Sequence, residues 1–191
     1  MITTHVRDTN TLAIEILEEV KTYVKVDGST FDAELTASIE GAIDYISDET
    51  GIELGYSTIT EVYWGFSHVI ELAIGSTQSI TSIKYYDTDN AQQTLSSDDY
   101  DVLIPLNLPA RITPTATTSF PATYARPNAV EVVQVAGFSD VSGTYTGPLQ
   151  GIDAIKQYVL YMFVNRGDEP VQMPKALFRL IDHLSVRTYV K

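Results

Sequence analysis

Hydrophobic residues recur with two periods along this chain, at alternate positions through its middle and at helical spacing towards both ends. In the middle, Val69-Ile-Glu-Leu-Ala-Ile74 places Ile70, Leu72 and Ile74 on one face of a strand. Gly75-Ser-Thr-Gln78 is a turn cluster, and Ser79 to Asp87 returns as a second strand with Ile83 and Tyr85 on one face. Ile80 is out of step with that pair, which predicts a slip or bulge near the strand start. Thr88-Asp-Asn90 makes a second tight turn, and Ala91 to Leu95 reads as a third strand. Three strands joined by short polar turns predict an antiparallel meander with one buried face.

Helical spacing governs the flanks. Thr11 or Asn10 can cap a first helix to about Lys25, with Ile14, Leu17, Val20 and Val24 as its stripe and Glu15, Glu18 and Glu19 complementing the dipole. Ser29-Thr-Phe-Asp32 is a capping start for a second helix running to about Thr50, where Gly51 ends it. Phe31, Leu35, Ile39, Ala42, Ile43 and Ile46 define that helix's buried face. Gly151 to Arg166 predicts a third helix with Ile152, Ile155, Val159, Met162 and Phe163 in one stripe. A last helix, about Lys175 to Val186, carries Leu177, Leu180, Ile181 and Leu184 after Pro170 and Pro174. Strands are also predicted over Tyr56–Trp64, Tyr100–Ile104 and Asn128–Ala136.

Two stretches lack either period. Five of the eight prolines lie between Pro105 and Pro127, so 105–127 reads as irregular or edge structure, a projecting loop. Residues 139–150 form a second loop of Gly, Ser, Thr and Tyr. Both carry little apolar surface, and the expectation is that neighbouring molecules order them. The order of elements predicts one α+β domain over 1–191: N-terminal helices over 1–55, a β-meander over 56–138, the loop 139–150, and C-terminal helices with an arm over 151–191.

Composition narrows the classes. With 44% hydrophobic and 19% charged residues, the chain of 191 residues is globular in character. It has no cysteine, which excludes disulfide scaffolds, thiolate metal sites and cysteine nucleophiles. No signal peptide is visible at the start, and the longest apolar stretch, Tyr158 to Val164, is too short to span a bilayer, so a soluble protein is expected. Net charge is −13, divided as −9 over 1–55, −6 over 56–150 and +2 over 151–191. Such a balance disfavours binding a nucleic-acid backbone. The acidic helices read first as solvated faces, and the alternative reading is that an acidic front with a weakly basic tail suits head-to-tail contact between copies.

Candidate chemistry is sparse. His5, His68 and His183 have no metal-ligand spacing around them. Gly65-Phe-Ser-His68 and Gly137-Phe-Ser-Asp140 lack the closing glycine of a nucleophile elbow and read as turns. No phosphate-binding glycine string occurs. Asp87-Thr-Asp89 and Asp98-Asp99-Tyr-Asp101 lack the glycine and glutamate of a calcium loop, so ordinary turn chemistry is expected. Tyr56, Tyr63, Trp64 and Phe66 could stack bases or sugars, but core or interface roles fit their acidic surroundings better. Lys156, Arg166, Lys175, Arg179 and Arg187 form no dense cluster and are expected to meet carboxylates on a neighbour. No enzyme, cofactor or metal is expected.

The stretch "IELAIGSTQSITSIKYYDTDNAQQTL" resembles the strand-turn-strand signature of the head–tail connector (adaptor, or head-completion) proteins of long-tailed bacteriophages. Their pattern I-E-L-P-x-x-P-V-x-S-V-x-S-V-x-Y-Y-D is matched at its apolar and tyrosine positions, with Ala73 and Thr77 as departures. "LEEVKTYVKVDG", the Thr50-Gly51 pair, the Ala136-Gly137-Phe138 step and "AIKQYVLYMFVNR" resemble the same family. The resemblance implies a structural adaptor: a dodecameric ring of copies beneath the portal of a phage or phage-like head, docking a tail-side stopper or tail-completion protein. DNA would pass through its lumen without sequence-specific binding. It implies a place at the head–tail junction of the virion, reached from the host cytoplasm during assembly. The rival reading is a monomeric β-rich module that binds carbohydrate or protein. The expected partner interface is the C-terminal arm, Arg179, Val186, Arg187, Tyr189, Val190 and Lys191, because Val186-Arg-Thr-Tyr-Val-Lys191 alternates like a strand able to join a partner's sheet edge. A terminal helix folded back on its own core is the competing expectation.

Overall fold

A computed structural model of the chain describes residues 2–105, 108–166 and 172–185. The elements are β1 (Ile2–Asp8), α1 (Thr9–Val24), α2 (Asp32–Thr50), β2 (Tyr56–Tyr63), β3 (Ile70–Glu71), β4 (Thr77–Tyr86) and β5 (Gln92–Thr94). After a 3-10 turn at Ser97–Asp99 come β6 (Tyr100–Leu103), β7 (Arg111–Pro114), β8 (Val130–Ala136), α3 (Leu149–Val164) and α4 (Lys175–Leu184). This is the expected α+β fold with helices at both ends. The described residues divide into a helical unit, 8–56 and 138–185, and a β unit, 2–7 and 57–137.

The helical unit is held by aliphatic side chains from all four helices. α2 buries Leu35, Ile39, Ala42, Ile43 and Ile46 completely, as its periodicity predicts. Each of the leucine and isoleucine side chains contributes about 1.5–3 kcal/mol by leaving water. Gly51 ends the helix at φ 71°, a left-handed position that glycine adopts without strain, and its N–H donates to Ser47 O at 3.0 Å. Its start differs from expectation. Phe31 occupies the N-cap position with no side-chain cap and is 36% exposed, its ring 5.7 Å from Phe163. In α1 the buried stripe is Leu12, Ala13, Ile16 and Val20, and Ile14 is 61% exposed. The helix begins at Thr9, directly after an N-terminal strand, and its core face, centred on Leu12, Ala13, Ile16 and Val20, leaves Ile14 on the outer side. α3 buries Ile152, Ile155 and Val159, but Met162 lies half exposed. α4 packs on α3 and α2 through Leu177, Ile181 and Leu184, so the helix does fold back on its own core.

The loop 139–150 belongs to this unit and is built from within, which corrects the expectation that neighbours order it. Asp140 Oδ1 accepts from the Ser142 and Thr144 N–H groups at 2.8 and 3.1 Å and from the Ser142 hydroxyl at 2.6 Å. Tyr145 packs edge-on to Phe138 at 6.1 Å and donates to Pro148 O at 3.0 Å. Gly143, at φ 89°, passes so close to α1 that a Cβ there would lie 2.7 Å from Thr11 O.

The β unit contains two antiparallel sheets, one ordered β1-β2-β8-β4-β5 and one ordered β3-β7-β6. Their shared core is Ile70, Leu72, Ile83, Leu95, Ala110, Ile112, Val130 and Val132. The predicted meander is only partly present. β4 and β5 form a hairpin, with Lys84 opposite Thr94 and Tyr86 opposite Gln92. The first predicted strand shortens to Ile70–Glu71 and pairs with β7 in the smaller sheet. β8 takes the place beside β4 that the meander would have given it, from Thr77 opposite Ala136 to Tyr85 opposite Val130. Register slips fall between Thr77 and Ser79 and between Ile80 and Ser82, the irregularity that Ile80 predicts.

Residues 108–127 are likewise anchored on this unit and do not simply project. Ala110 and Ile112 are fully buried, and Phe120 stacks on Phe66 with centroids 4.6 Å apart. Leu72 N–H donates to Ala110 O at 3.0 Å, and Tyr124 N–H to Tyr86 O at 2.9 Å. Proline density hid a central strand there, because β7 ends on Pro114 and keeps its interior free of proline.

Candidate interaction surfaces

On β2, alternate residues Ser57, Ile59, Glu61 and Tyr63 face inward, which places a carboxylate in the β unit's interior. Glu61 is fully buried. Its carboxylate accepts from the Ala73 N–H at 3.0 and 3.1 Å, from Gln134 Nε2 at 2.9 Å and from the Tyr63 hydroxyl at 2.5 Å. Gln134 in turn accepts from Thr77 Oγ1 at 2.8 Å. Burial first, then the bond to Glu61, pushes the Tyr63 phenol well above its ordinary range, so it stays a donor. These donors offset the cost of burying a charge. The arrangement is a clamp: it ties Ala73, on the crossing from β3 to β4, to the middle of the larger sheet. Sequence reasoning missed it. The signal was an acid sharing strand parity with Ile59 and Tyr63.

The smaller sheet ends at β6, and its hydrogen-bond pattern fixes what that edge offers. Tyr100 lies opposite Pro114, Asp101 opposite Thr113 and Leu103 opposite Arg111. One step earlier, Thr115 N–H donates to Asp99 O at 3.2 Å. Antiparallel pairs alternate between bonded and non-bonded, so Asp101 and Leu103 bond to β7 while Tyr100 and Val102 point their N–H and C=O groups outward. Pro114, which has no N–H to give Tyr100, fits that assignment. Among the described residues nothing pairs with this edge. Leu103 is 63% exposed on the solvent face and Ile104 lies half exposed just beyond. The solvent face also holds a depression of 540 Å³ lined by Val69, Glu71, Asp101, Leu103 and Arg111, with Arg111 Nη2 3.1 Å from Glu71 Oε1.

The predicted arm is only partly on view. Arg179 is exposed on α4, beside the half-exposed Phe178. Val186, Arg187, Tyr189, Val190 and Lys191 lie outside the described residues. The chain leaves α4 in an extended conformation at Ser185, φ −64° and ψ 127°.

Other candidates disperse. Lys156 pairs with Glu19 at 2.5 Å and Arg166 with Glu34 at 3.0 Å, and the Arg166 guanidinium lies 3.6 Å from the Phe163 ring centroid. Both cations meet carboxylates of their own unit, which corrects the expectation that they reach a neighbour. The aromatic set makes no platform: Tyr63 bonds Glu61, Phe66 stacks on Phe120, and Trp64 is 69% exposed. Asp87 closes its own turn, taking the Asp89 and Ala91 N–H groups at 3.0 and 2.9 Å. The Gln93 amide, first among its donors, helps to hold its carboxyl below the usual range. Among the described residues, no three His, Asp or Glu side chains converge as a metal site requires, and no helix is long and apolar enough to cross a membrane.

No protein-family model matches the sequence, and no curated protein matches it either. Solved structures do match its fold. A chain in the neck of an empty GTA particle with C6 symmetry superposes with TM-score 0.76 at 17% identity, covering 97% of this chain and 95% of that one. A chain in the neck of a native GTA particle with C12 symmetry gives 0.73 at 18% identity, again covering 97% and 95%. A chain in the virion of a native gene transfer agent (GTA) particle gives 0.75 at 17% identity over the same shares. This chain therefore has, from one end to the other, the fold of a chain found in the neck of gene transfer agent particles.

Proposed function

We propose that this protein is a structural head–tail adaptor, without catalytic activity, whose copies form a ring below the portal of a phage or phage-like head. The observation that carries the reading is a fold likeness to particle-neck chains spanning 97% of this chain and 95% of theirs. The ring, a dodecamer, extends the DNA channel and docks the tail-side stopper or completion protein. Residues 1–191 serve as one adaptor, both units included, at the head–tail junction of a virion assembled in the host cytoplasm. The C-terminal segment from Arg179 to Lys191 is its contact arm. The net charge of −13 supports the channel role, because a surface poor in cations gives phosphates little to hold. The test is native mass spectrometry of the concentrated chain, alone and with the portal protein of its own particle. A closed ring is expected of identical subunits joined head to tail, and the family resemblance puts it at about twelve copies. A chain that stays monomeric under both conditions overturns the reading.

A further inference from the structure

We propose that the free edge of β6 receives residues 186–191 of a second copy of this chain, as an added antiparallel strand. This inference rests on the ring reading above and names the contact between adjacent copies. A ring of identical subunits needs two different, complementary surfaces on each copy. The β6 edge and the C-terminal segment supply such a pair.

Three observations fit the segment to the edge. The first is backbone: Tyr100 and Val102 present unpaired N–H and C=O groups, and the chain leaves α4 already extended at Ser185. Five residues, Tyr100 to Ile104, span about 17 Å of strand and six residues about 20 Å, so the lengths match. The second is alternation. Tyr100 and Val102 pack towards the core while Asp101 and Leu103 face solvent. Val186, Thr188 and Val190 continue the first row, and Arg187, Tyr189 and Lys191 the second. The third is charge. Asp98, Asp99 and Asp101 lie at the start of the edge, and residues 186–191 carry Arg187 and Lys191 with no acid. Antiparallel pairing brings Lys191 to that acidic end and Val186 beside the half-exposed Ile104. Arg187 then lies opposite Leu103, and pairing covers an edge that would otherwise invite unwanted partners.

Cysteine cross-linking tests this cleanly, since the chain has no cysteine of its own. Leu103→Cys is combined in full-length protein with Arg187→Cys, Thr188→Cys or Tyr189→Cys in turn. Oligomeric samples, verified by mass, are then oxidised. Residues opposite each other at a non-bonded position lie within disulfide reach, while a residue of opposite parity points to the other face. The 187 pair should give a ladder of covalent oligomers, while the 188 pair, on the other face, and the 189 pair, one diagonal step along the strand, should largely lose it. Asp101→Lys should weaken oligomerisation, and adding Lys191→Asp should restore it. A disulfide closed within a monomer overturns the proposal, as does a ladder indifferent to parity. Oligomers without any cross-link overturn this contact and leave the ring reading standing. A chain monomeric at every concentration overturns both.

Discussion

The helical unit and the β unit place their buried polar groups differently: the first encloses Ser47, Thr50 and Glu53 at and just beyond the end of α2, beside an aliphatic core, and the second encloses Glu61 and Gln134 within its larger sheet. Leu12, Leu35, Ile39, Ile43, Ile46, Ile155 and Val159 fill the helical core, all of them apolar and fully enclosed. The β core adds to its own aliphatics a fully buried carboxylate, a buried amide and a buried threonine hydroxyl. An aliphatic core is tolerant, because hydrophobic contact has no direction. A core that encloses Glu61 is demanding, since each donor must arrive at the right oxygen. The first kind fixes which faces meet. The second also fixes register, and β2, β8 and β4 are the strands whose register most needs fixing.

The largest expected effect breaks the first kind of core. Ile39→Asp places an unpaired charge at a position with no exposure, at a cost of roughly 4–5 kcal/mol or more. Far-UV circular dichroism and thermal unfolding should show loss of the cooperative helical transition. A folded protein of wild-type melting temperature would mean that this face of α2 opens to solvent.

Next comes the clamp. Glu61→Ala leaves the Ala73 N–H, the Gln134 amide and the Tyr63 hydroxyl without their shared acceptor, costing about 3 kcal/mol. Glu61→Gln is milder, about 1 kcal/mol, because its carbonyl still accepts and its amide can donate to the Tyr63 oxygen. Denaturant unfolding of both variants decides the matter. Equal losses would show that the charge with its two acceptor oxygens, and not the side chain's size, holds the crossing, and no loss in Glu61→Gln would show the reverse.

Why the two units differed in legibility follows from the same contrast. A helix is written locally, so Leu35, Ile39, Ala42, Ile43 and Ile46 announce their face through spacing alone. The same logic gave α3 and α4 nearly to the residue, and failed for Ile14 because the stripe chosen in α1 was centred about one residue's turn away from the buried one, Leu12, Ala13, Ile16 and Val20. A sheet is written between distant segments. The spacing of Val69 to Leu95 correctly found the β4–β5 hairpin, yet nothing nearby says that β8 lies beside β4 or that Ile70 pairs with Ile112. β1 was missed because a short threonine-rich start carries almost no apolar pattern. Of the candidate interface, Arg179 and the alternating tail were legible, whereas the β6 edge was not, since edges exist only once the sheet order is known.

A third test concerns the proline-rich stretch. Phe120→Ala removes a ring stacked 4.6 Å from Phe66, for about 2 kcal/mol. Hydrogen exchange at Thr118–Tyr124 should quicken while the helical unit keeps its protection. Unchanged exchange there would revive the view that only neighbouring molecules order this stretch.

The smallest effect sharpens the comparison from the helical side, at the loop around Asp140. Its carboxyl is held below the usual range, first by the Ser142 hydroxyl and then by the Ser142 and Thr144 N–H groups. A carboxyl whose folded pKa is depressed contributes stability above its unfolded value, about 3.9, and loses it as pH falls through the lower folded value. Protection of the Ser142 and Thr144 amides should therefore be steady from neutral pH down to about 4 and decline below it. Asp140→Ala should show the low-pH behaviour at every pH, with the global melting temperature nearly unchanged because the side chain is exposed. Asp140→Asn should fall between, since its carbonyl accepts but carries no charge. The loop is also pinned by Gly143 against Thr11, a contact with no titrating group. If that contact alone held it, wild type and Asp140→Ala would exchange alike at neutral pH, and the carboxylate would be an ornament of the turn. The expected gap between them measures how far one solvent-facing acid organises a loop at the surface of a unit whose core is mainly aliphatic.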